Sequence, residues 1–348
     1  MKSLLLFLLF LGSRTYSMNF SEAVTCIQSN YQKLSNREGI AAAIVSADKS
    51  QILTFGSAAQ DQLFEIGSIT KTFTGTLLAQ AIVEGRLKLS DPIPSEYQKP
   101  GSVITFQHLA THTSGLPSGI FPDFQIQDPS RPYKGLSIST FKKLYAQTDL
   151  VSGPGSQWAY SNIGTSLIGL ILSETYNQTY SSLVNEKIFK VPGMNQSFFE
   201  VPSELSKRFS EGYLLDSDGL ITQTPHWDLF DTAINPAGGI RSTITDMILF
   251  ARAQLFPKTT QLSESILISQ VPLQQIVEGT SIGTQWIINS KDDLIWHNGQ
   301  TYGFNAILAI SRKKEIAIVA MTNTTVKIAG PQEWDTGLQD VVFNCLKP

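Results

Sequence analysis

The chain has 348 residues, 42% of them apolar and 16% charged, with a formal charge of −3. That balance excludes a disordered chain, and a mildly acidic sum without a long basic run excludes a nucleic-acid binder that relies on phosphate neutralisation. The length fits about two domains and buries a core without staples, so the two cysteines are optional to the fold.

Residues 1–17 read apart from the rest. Lys2 precedes an unbroken apolar run from Leu4 to Leu11, and Thr15-Tyr16-Ser17 follows with small residues at the recognition positions. This is the layout of a secretory signal peptide cleaved near Ser17. The alternative, a membrane anchor, needs about 20 apolar residues. The expected mature protein is exported, periplasmic or secreted, monomeric, and without a transmembrane segment. Export would place Cys26 and Cys345 in an oxidising compartment, where a bridge between them would tie the termini together. Two free buried thiols are the alternative.

Residues 20–34 predict a helix with Phe20, Val24, Ile27 and Tyr31 on one face. Short strands are expected at 39–46, 51–57 and 62–66. From Ser68 the period becomes helical, with Ile69, Phe73, Leu77 and Ala81 on one face and Gly85 placed to end the helix. Residues 86 to about 230 read as helices and loops, with one clear helix around Ile163, Leu167 and Ile171. Strands return at 284–289, 293–297, 304–311 and 315–322, the last two joined by a hairpin at 311–315. A final amphipathic helix is expected from Glu333 to Phe343. Strands at both ends imply one sheet made from both chain ends: a discontinuous α/β domain over 18–85 and 231–348, with a mostly helical insertion over 86–230.

Three short patterns can carry chemistry. S-x-x-K occurs at Ser46/Lys49, Ser68/Lys71, Ser139/Lys142 and Ser311/Lys314. Ser46 and Ser311 fall at polar turns, and Ser139 reads as a helix cap. Ser68 differs, because an apolar strand and Gly67 deliver it to the first turn of an apolar helix, where free N–H groups favour developing negative charge. Lys71 lies on the same helical face. A capping serine with a surface lysine is the competing reading. Tyr160-Ser161-Asn162 stands between a Pro/Gly-rich loop and a helix, where a buried tyrosine and a capping asparagine compete with a functional pair. His297-Asn298-Gly299 ends a strand; the glycine permits close approach and the imidazole could donate to a substrate oxygen, against a merely satisfied histidine. His108 and His112 stand four apart without the glutamate a zinc protease needs, His226 carries no readable signal, and no phosphate-binding loop opens a strand–helix unit. No metal and no cofactor are called for.

In this order and spacing the three patterns resemble those of the serine β-lactamase and penicillin-binding DD-peptidase superfamily, in its class C-like branch, which carries S-x-x-K, Y-x-N and K-T-G or H-x-G. The flanks FEIGSITKTFTG (64–75), GRLKLSDP (85–92), ITFQHLATHTSGLP (104–117) and NPAGGIRSTITDM (235–247) are similar too. The resemblance implies an α/β (α+β) fold of two parts, an antiparallel sheet flanked by N- and C-terminal helices with a mostly helical inserted domain. It implies Ser68 as nucleophile forming an acyl-enzyme, Lys71 and Tyr160 as a proton relay whose working base is left open, and Asn162 hydrogen-bonded to Lys71 and the substrate amide. The oxyanion hole would be the N–H groups of Ser68 and Gln300, with His297, Asn298 and Gly299 on the substrate strand. In that context His112 braces the Ser-Gly turn.

Two departures bear on substrate. His297 replaces a permanently charged lysine, and Gly119 stands where the β-lactamases place a glutamine. H-x-G is more typical of the DD-carboxypeptidase and esterase members. The expectation is therefore a DD-carboxypeptidase- or endopeptidase-like enzyme acting on D-Ala-D-Ala-type peptides, with peptidoglycan as a partner. A class C-type β-lactamase or small-ester hydrolase is the alternative, and a non-catalytic penicillin-recognising sensor or scaffold is the minor one.

Overall fold

The computed structural model describes residues 19–34, 37–119, 121–227, 232–326 and 337–347. The apolar leader and residues 333–336 of the expected last helix lie outside them. In chain order come α1 (Phe20–Tyr31), β1 (Gly39–Val45), β2 (Ser50–Gly56), β3 (Phe64–Glu65) and α2 (Thr70–Val83). The middle holds α3 (Phe106–Ala110), α4 (Ile138–Gln147), α5 (Asn162–Tyr176), α6 (Tyr180–Val184), β4 (Ser197–Phe198), β5 (Gly212–Leu215) and β6 (Ile221–Thr224). Then follow α7 (Asn235–Gly238), β7 (Arg241–Ser242), α8 (Ile244–Leu255), α9 (Ser263–Ser269), β8 (Gln274–Val277), β9 (Thr280–Ile282) and β10 (Ile287–Asn289). The chain closes with β11 (Leu294–Gln300), β12 (Asn305–Ser311), β13 (Ile316–Thr322), β14 (Thr324–Val326) and α10 (Gly337–Asn344).

The main sheet has eight strands in the order β2-β1-β13-β12-β11-β10-β9-β8, every pair antiparallel. Its centre reads as continuous apolar runs because both faces are covered: β1, β12 and β13 are buried at every residue. Ala41, Ala43, Leu308 and Val319 pack towards the helical side with α2 and α8. The alternate residues Ala42, Ile44, Ile307 and Ile318 pack against Ile27 of α1 and Val342 of α10. Edge strand β2 is a mixture of exposed and half-buried residues instead. The sulfurs of Cys26 in α1 and Cys345 are bonded at 2.00 Å with Cα atoms 5.7 Å apart, joining the two helices that cover this second face.

Eleven of the fourteen residues of α2 are buried, the polar Thr70, Lys71, Thr72, Thr74 and Thr76 among them, so the helix sits in the core on every side. Ile69, Phe73, Leu77 and Ala81 are all fully buried, and Gly85 follows at φ +68°, where a glycine costs nothing.

Several expectations need adjusting. The 86–230 region holds β4, β5 and β6 besides helices, and β8 and β9 extend the sheet where no strand was expected. Gln274–Val277 alternates half-buried and exposed on the sheet edge, a pattern too short and too polar to stand out. Strand β11 does not end at His297 but runs on to Gln300, because Gln300 still pairs with Asn305 of β12. Ser139 is not the cap of its helix; Ser137 is, its hydroxyl accepting from Thr140 N at 3.1 Å. His226 stacks on Phe209 at 3.7 Å and its Nε2 lies 2.8 Å from the Ser210 carbonyl. No helix among the described residues is long and apolar enough to cross a membrane.

Candidate active site

Four chain segments meet at Ser68. Gly67–Ile69 forms a 3-10 turn that runs into α2. Ser68 lies inside this turn, whose N-cap is Ile66, and Ile69 caps α2, so Ser68 does not occupy a capping position. Ser68 is half-buried, whereas Lys71, one turn on, is wholly buried. Lys71 Nζ lies 3.0 Å from Ser68 Oγ and donates to the Ala237 carbonyl at 2.6 Å. Burial holds the Lys71 amine well below its usual range, because desolvation disfavours the ammonium.

Tyr160 arrives from the start of α5. Its ring centroid is 4.9 Å from Lys71 Nζ, 4.6 Å from the His112 ring and 6.2 Å from the His297 ring. Burial pushes its phenol up, and the neighbouring Ser68 hydroxyl only partly opposes that. Ser161, not Asn162, caps α5: its hydroxyl accepts from Gly164 N at 3.1 Å and donates to the Pro117 carbonyl at 2.8 Å. The cap therefore also ties the Tyr160 segment to the TSGLP turn. His112 holds the same segment, with Nδ1 accepting from Ser161 N at 3.2 Å and its backbone at φ +56°. Burial pushes its imidazole well down, with the charges of Lys71 and His297 adding to the effect.

The expected Lys71–Asn162 hydrogen bond is not formed. Asn162 Nδ2 donates instead to Tyr133 Oη at 2.8 Å, and Lys71 turns to the Ala237 carbonyl. Being the first residue of α5, Asn162 has its side chain drawn outward by Tyr133, an aromatic that sequence reading passed over. Ala237 is beyond sequence reading as well, because a backbone carbonyl has no sequence signature; the family-like segment NPAGGIRSTITDM (235–247) is its one trace.

Strand β11 supplies the fourth segment. A methyl group added at Gly299 would lie 1.9 Å from the Ile66 carbonyl oxygen and 2.9 Å from Ser68 N. One added at Gly67, which sits at φ +50°, would lie 2.5 Å from Gln300 N. Two glycines thus let the strand and the Ser68 turn touch, bringing the N–H groups of Ser68 and Gln300 onto facing segments. Asn298 is half-buried beside them. His297 is 2% exposed, and its Nδ1 donates to the Asn298 carbonyl at 2.5 Å. Burial, reinforced by the Lys71 charge, pushes its imidazole down to about 3. A neutral ring whose Nδ1 carries the proton leaves Nε2 as an acceptor, so the expected role as a donor to a substrate oxygen does not fit. Elsewhere, His108 closes a capping box with its Nδ1 accepting from Thr105 N at 3.2 Å.

A groove of about 1080 Å³ lies on the far side of α7, lined by Tyr180, Phe199 and Pro236 among others, and contains none of these residues. The chemistry gathers at the Ser68 turn, which joins a serine, a buried amine, a phenol and two converging backbone donors. This set can perform acyl transfer through a serine ester.

A mixed α/β fold built on an antiparallel sheet of this kind is consistent with the beta-lactamase fold. The family model described as Beta-lactamase matches residues 27–343, and the chain belongs to that family. "Protein flp" from Staphylococcus aureus (strain N315) is 25% identical over 272 residues, which cover 75% of this chain and 52% of that protein. The chain thus spans about half the length of such relatives. "Beta-lactamase" from Escherichia coli (strain K12) is 27% identical over 333 residues, covering 82% of this chain and 84% of that one.

Proposed function

We propose that this chain hydrolyses small carbonyl substrates through an acyl-enzyme on Ser68, and that esters and uncharged amides are its preferred acyl donors, ahead of D-Ala-D-Ala peptides. The observation that carries the substrate choice is His297. A substrate ending in a free carboxylate needs a positive charge or a hydrogen-bond donor, and the buried neutral imidazole directs its one donor at the Asn298 carbonyl. A carboxylate meeting Nε2 would place lone pair against lone pair, whereas a neutral group with an O–H or N–H would be accepted.

In the mechanism, Lys71 as a free amine takes the proton of Ser68 Oγ while that oxygen attacks the carbonyl. The Ser68 and Gln300 N–H groups hold the oxyanion. The proton passes to the leaving oxygen or nitrogen through Lys71 and Tyr160, and water activated by the same pair releases the acid. Export remains part of this reading, supported by the apolar leader and the Cys26–Cys345 bond.

The test compares p-nitrophenyl esters, a D-Ala-D-Ala peptide and a fluorescent penicillin, with intact-mass measurement of the adduct. Ester turnover should exceed peptide turnover by at least about tenfold in kcat/KM, a difference of 1.4 kcal/mol in barrier, and Ser68→Ala should abolish it. A preference for the peptide, or rapid turnover of the penicillin, would overturn the substrate choice. Turnover surviving in Ser68→Ala would overturn the mechanism.

A further inference from the structure

Beneath the Ser68 turn lies an ion pair that the mechanism does not use. Glu65 of β3 faces Arg241 of β7 in register. Their side chains are 3% and 6% exposed, and Arg241 Nη2 stands 3.9 Å from Glu65 Oε1. That spacing is long for a pair whose hydrogen bonds are spent on each other. Both side chains also bond to backbone. Glu65 Oε1 accepts the N–H of Trp227 at 2.7 Å. Arg241 Nη2 donates to the carbonyl of the same residue, while Nη1 donates to Phe199 O at 2.6 Å and Gly239 O at 2.8 Å. Both polar groups of one peptide residue are thus held by the two halves of one buried pair.

The residue so held borders the candidate active site. The methyl group that Gly238 lacks would stand 3.9 Å from Trp227 Cζ3 and 3.8 Å from the Gly67 carbonyl carbon. The indole edge is therefore about one side chain away from the turn that carries the nucleophile. Its ring packs edge-on against Tyr133 with centroids 5.4 Å apart, and Tyr133 Oη receives Asn162 Nδ2. Tyr160 lies beside His297 of β11, with ring centroids 6.2 Å apart. Asn162, Tyr133 and Trp227 form a second set of contacts bordering the Ser68 turn.

We propose that Glu65 and Arg241 are positioning residues: by clasping the backbone of Trp227 they fix the Trp227–Tyr133 wall, which selects acyl donors with a flat apolar acyl group. A buried ion pair is weak evidence for stability, since its desolvation offsets its attraction, so its place in the core calls for a positional role. The proposal rests on the acyl-transfer reading above and extends it to the acyl side of the substrate.

The experiment uses the full chain with p-nitrophenyl acetate and p-nitrophenyl phenylacetate, which share a leaving group. In Glu65→Gln, kcat/KM for the phenylacetate should fall about 10- to 100-fold, mostly through KM, the size expected when a remote change misplaces a wall by about 1 Å. The acetate value should stay within about twofold of wild type, well under the 1.4 kcal/mol that a tenfold change represents. Trp227→Ala should likewise lower the phenylacetate value, and the double variant should lose no more on that ester than the worse of the two single ones. Arg241→Lys keeps the charge but loses the fork, and should repeat the result if Glu65→Gln does not fold. Parallel losses on both esters, or additive losses in the double variant, would overturn the clasp. A readout independent of turnover is the 5-fluorotryptophan NMR signal of Trp227, assigned by its absence in Trp227→Phe. It should shift in Glu65→Gln, and an unmoved signal sinks the clasp. No ester turnover by the wild type would instead count against the acyl-transfer reading, with the fluorine signal still deciding the clasp.

Discussion

Lys71 and Tyr160 share one buried site, and burial favours the neutral form of both: the amine is pushed down and the phenol up. Burial thus favours the proton on the phenol oxygen over a second charge on the Lys71 nitrogen, which stands 3.0 Å from Ser68 Oγ. In the proposed mechanism this ordering assigns the base to Lys71. Replacing it with arginine keeps a cation that cannot be deprotonated, so acylation should fall by about 10²–10⁴-fold, measured as the burst rate with an activated ester. The same burial has a sign in stability. Below its lowered folded value Lys71 is protonated in both states, but between that value and the usual 10.5 the unfolded chain binds the extra proton. Wild type should therefore gain stability on Lys71→Met as pH rises from neutral towards 9, by up to about 1.4 kcal/mol per pH unit. Denaturant midpoints of both proteins at pH 7 and 9 check this, and a constant gap would contradict it. His297, pushed down to about 3, should add no step to either profile between pH 5 and 8.

At the scale of elements, activity depends on how closely β11 passes the Ser68 turn. Gly299→Ala would set a methyl group 1.9 Å from the Ile66 carbonyl, so the strand must retreat and carry Gln300 N away from Ser68 N. The expected loss is about 10²–10³ in kcat, the worth of one oxyanion donor, with an overpacking cost of about 1–3 kcal/mol. Stopped-flow acylation alongside thermal melts separates the two. Sequence reading reached Gly299 because a glycine at a strand end permits close approach. It reached Ser68 and Lys71 because, of four S-x-x-K pairs, only theirs follows an apolar strand and Gly67 into an apolar helix in the order of a known family. It could not reach Ala237, 166 residues from Lys71 in the chain and acting through its backbone. It also could not see that Tyr133 would take Asn162, because an aromatic in a loop has no periodic pattern to announce its partner. Central strands were legible from their unbroken apolar runs, whereas β8 and β9 at the sheet edge carry only a short, half-polar alternation.

For the whole molecule, the two faces of the sheet carry different duties. The helical face holds α2 and, at its start, the candidate active site; the other is covered by α1 and α10, the two ends of the described chain. Terminal helices fray unless tied down, and these two are tied by Cys26–Cys345 across 319 residues of sequence. Cross-linking so long a loop constrains the unfolded chain strongly, and removing a native bridge of this kind costs about 2–4 kcal/mol. Cys26→Ser/Cys345→Ser should therefore lower the denaturant midpoint and make it insensitive to reductant, whereas the wild-type midpoint should drop when dithiothreitol is added. Ester hydrolysis at 25 °C should stay near the wild-type level in the same variant, because Ala42, Ile307 and Ile318 and the sheet itself stand between the bridge and Ser68. A variant that lost activity while still folded would show instead that the covering helices set the geometry of the catalytic face through the sheet.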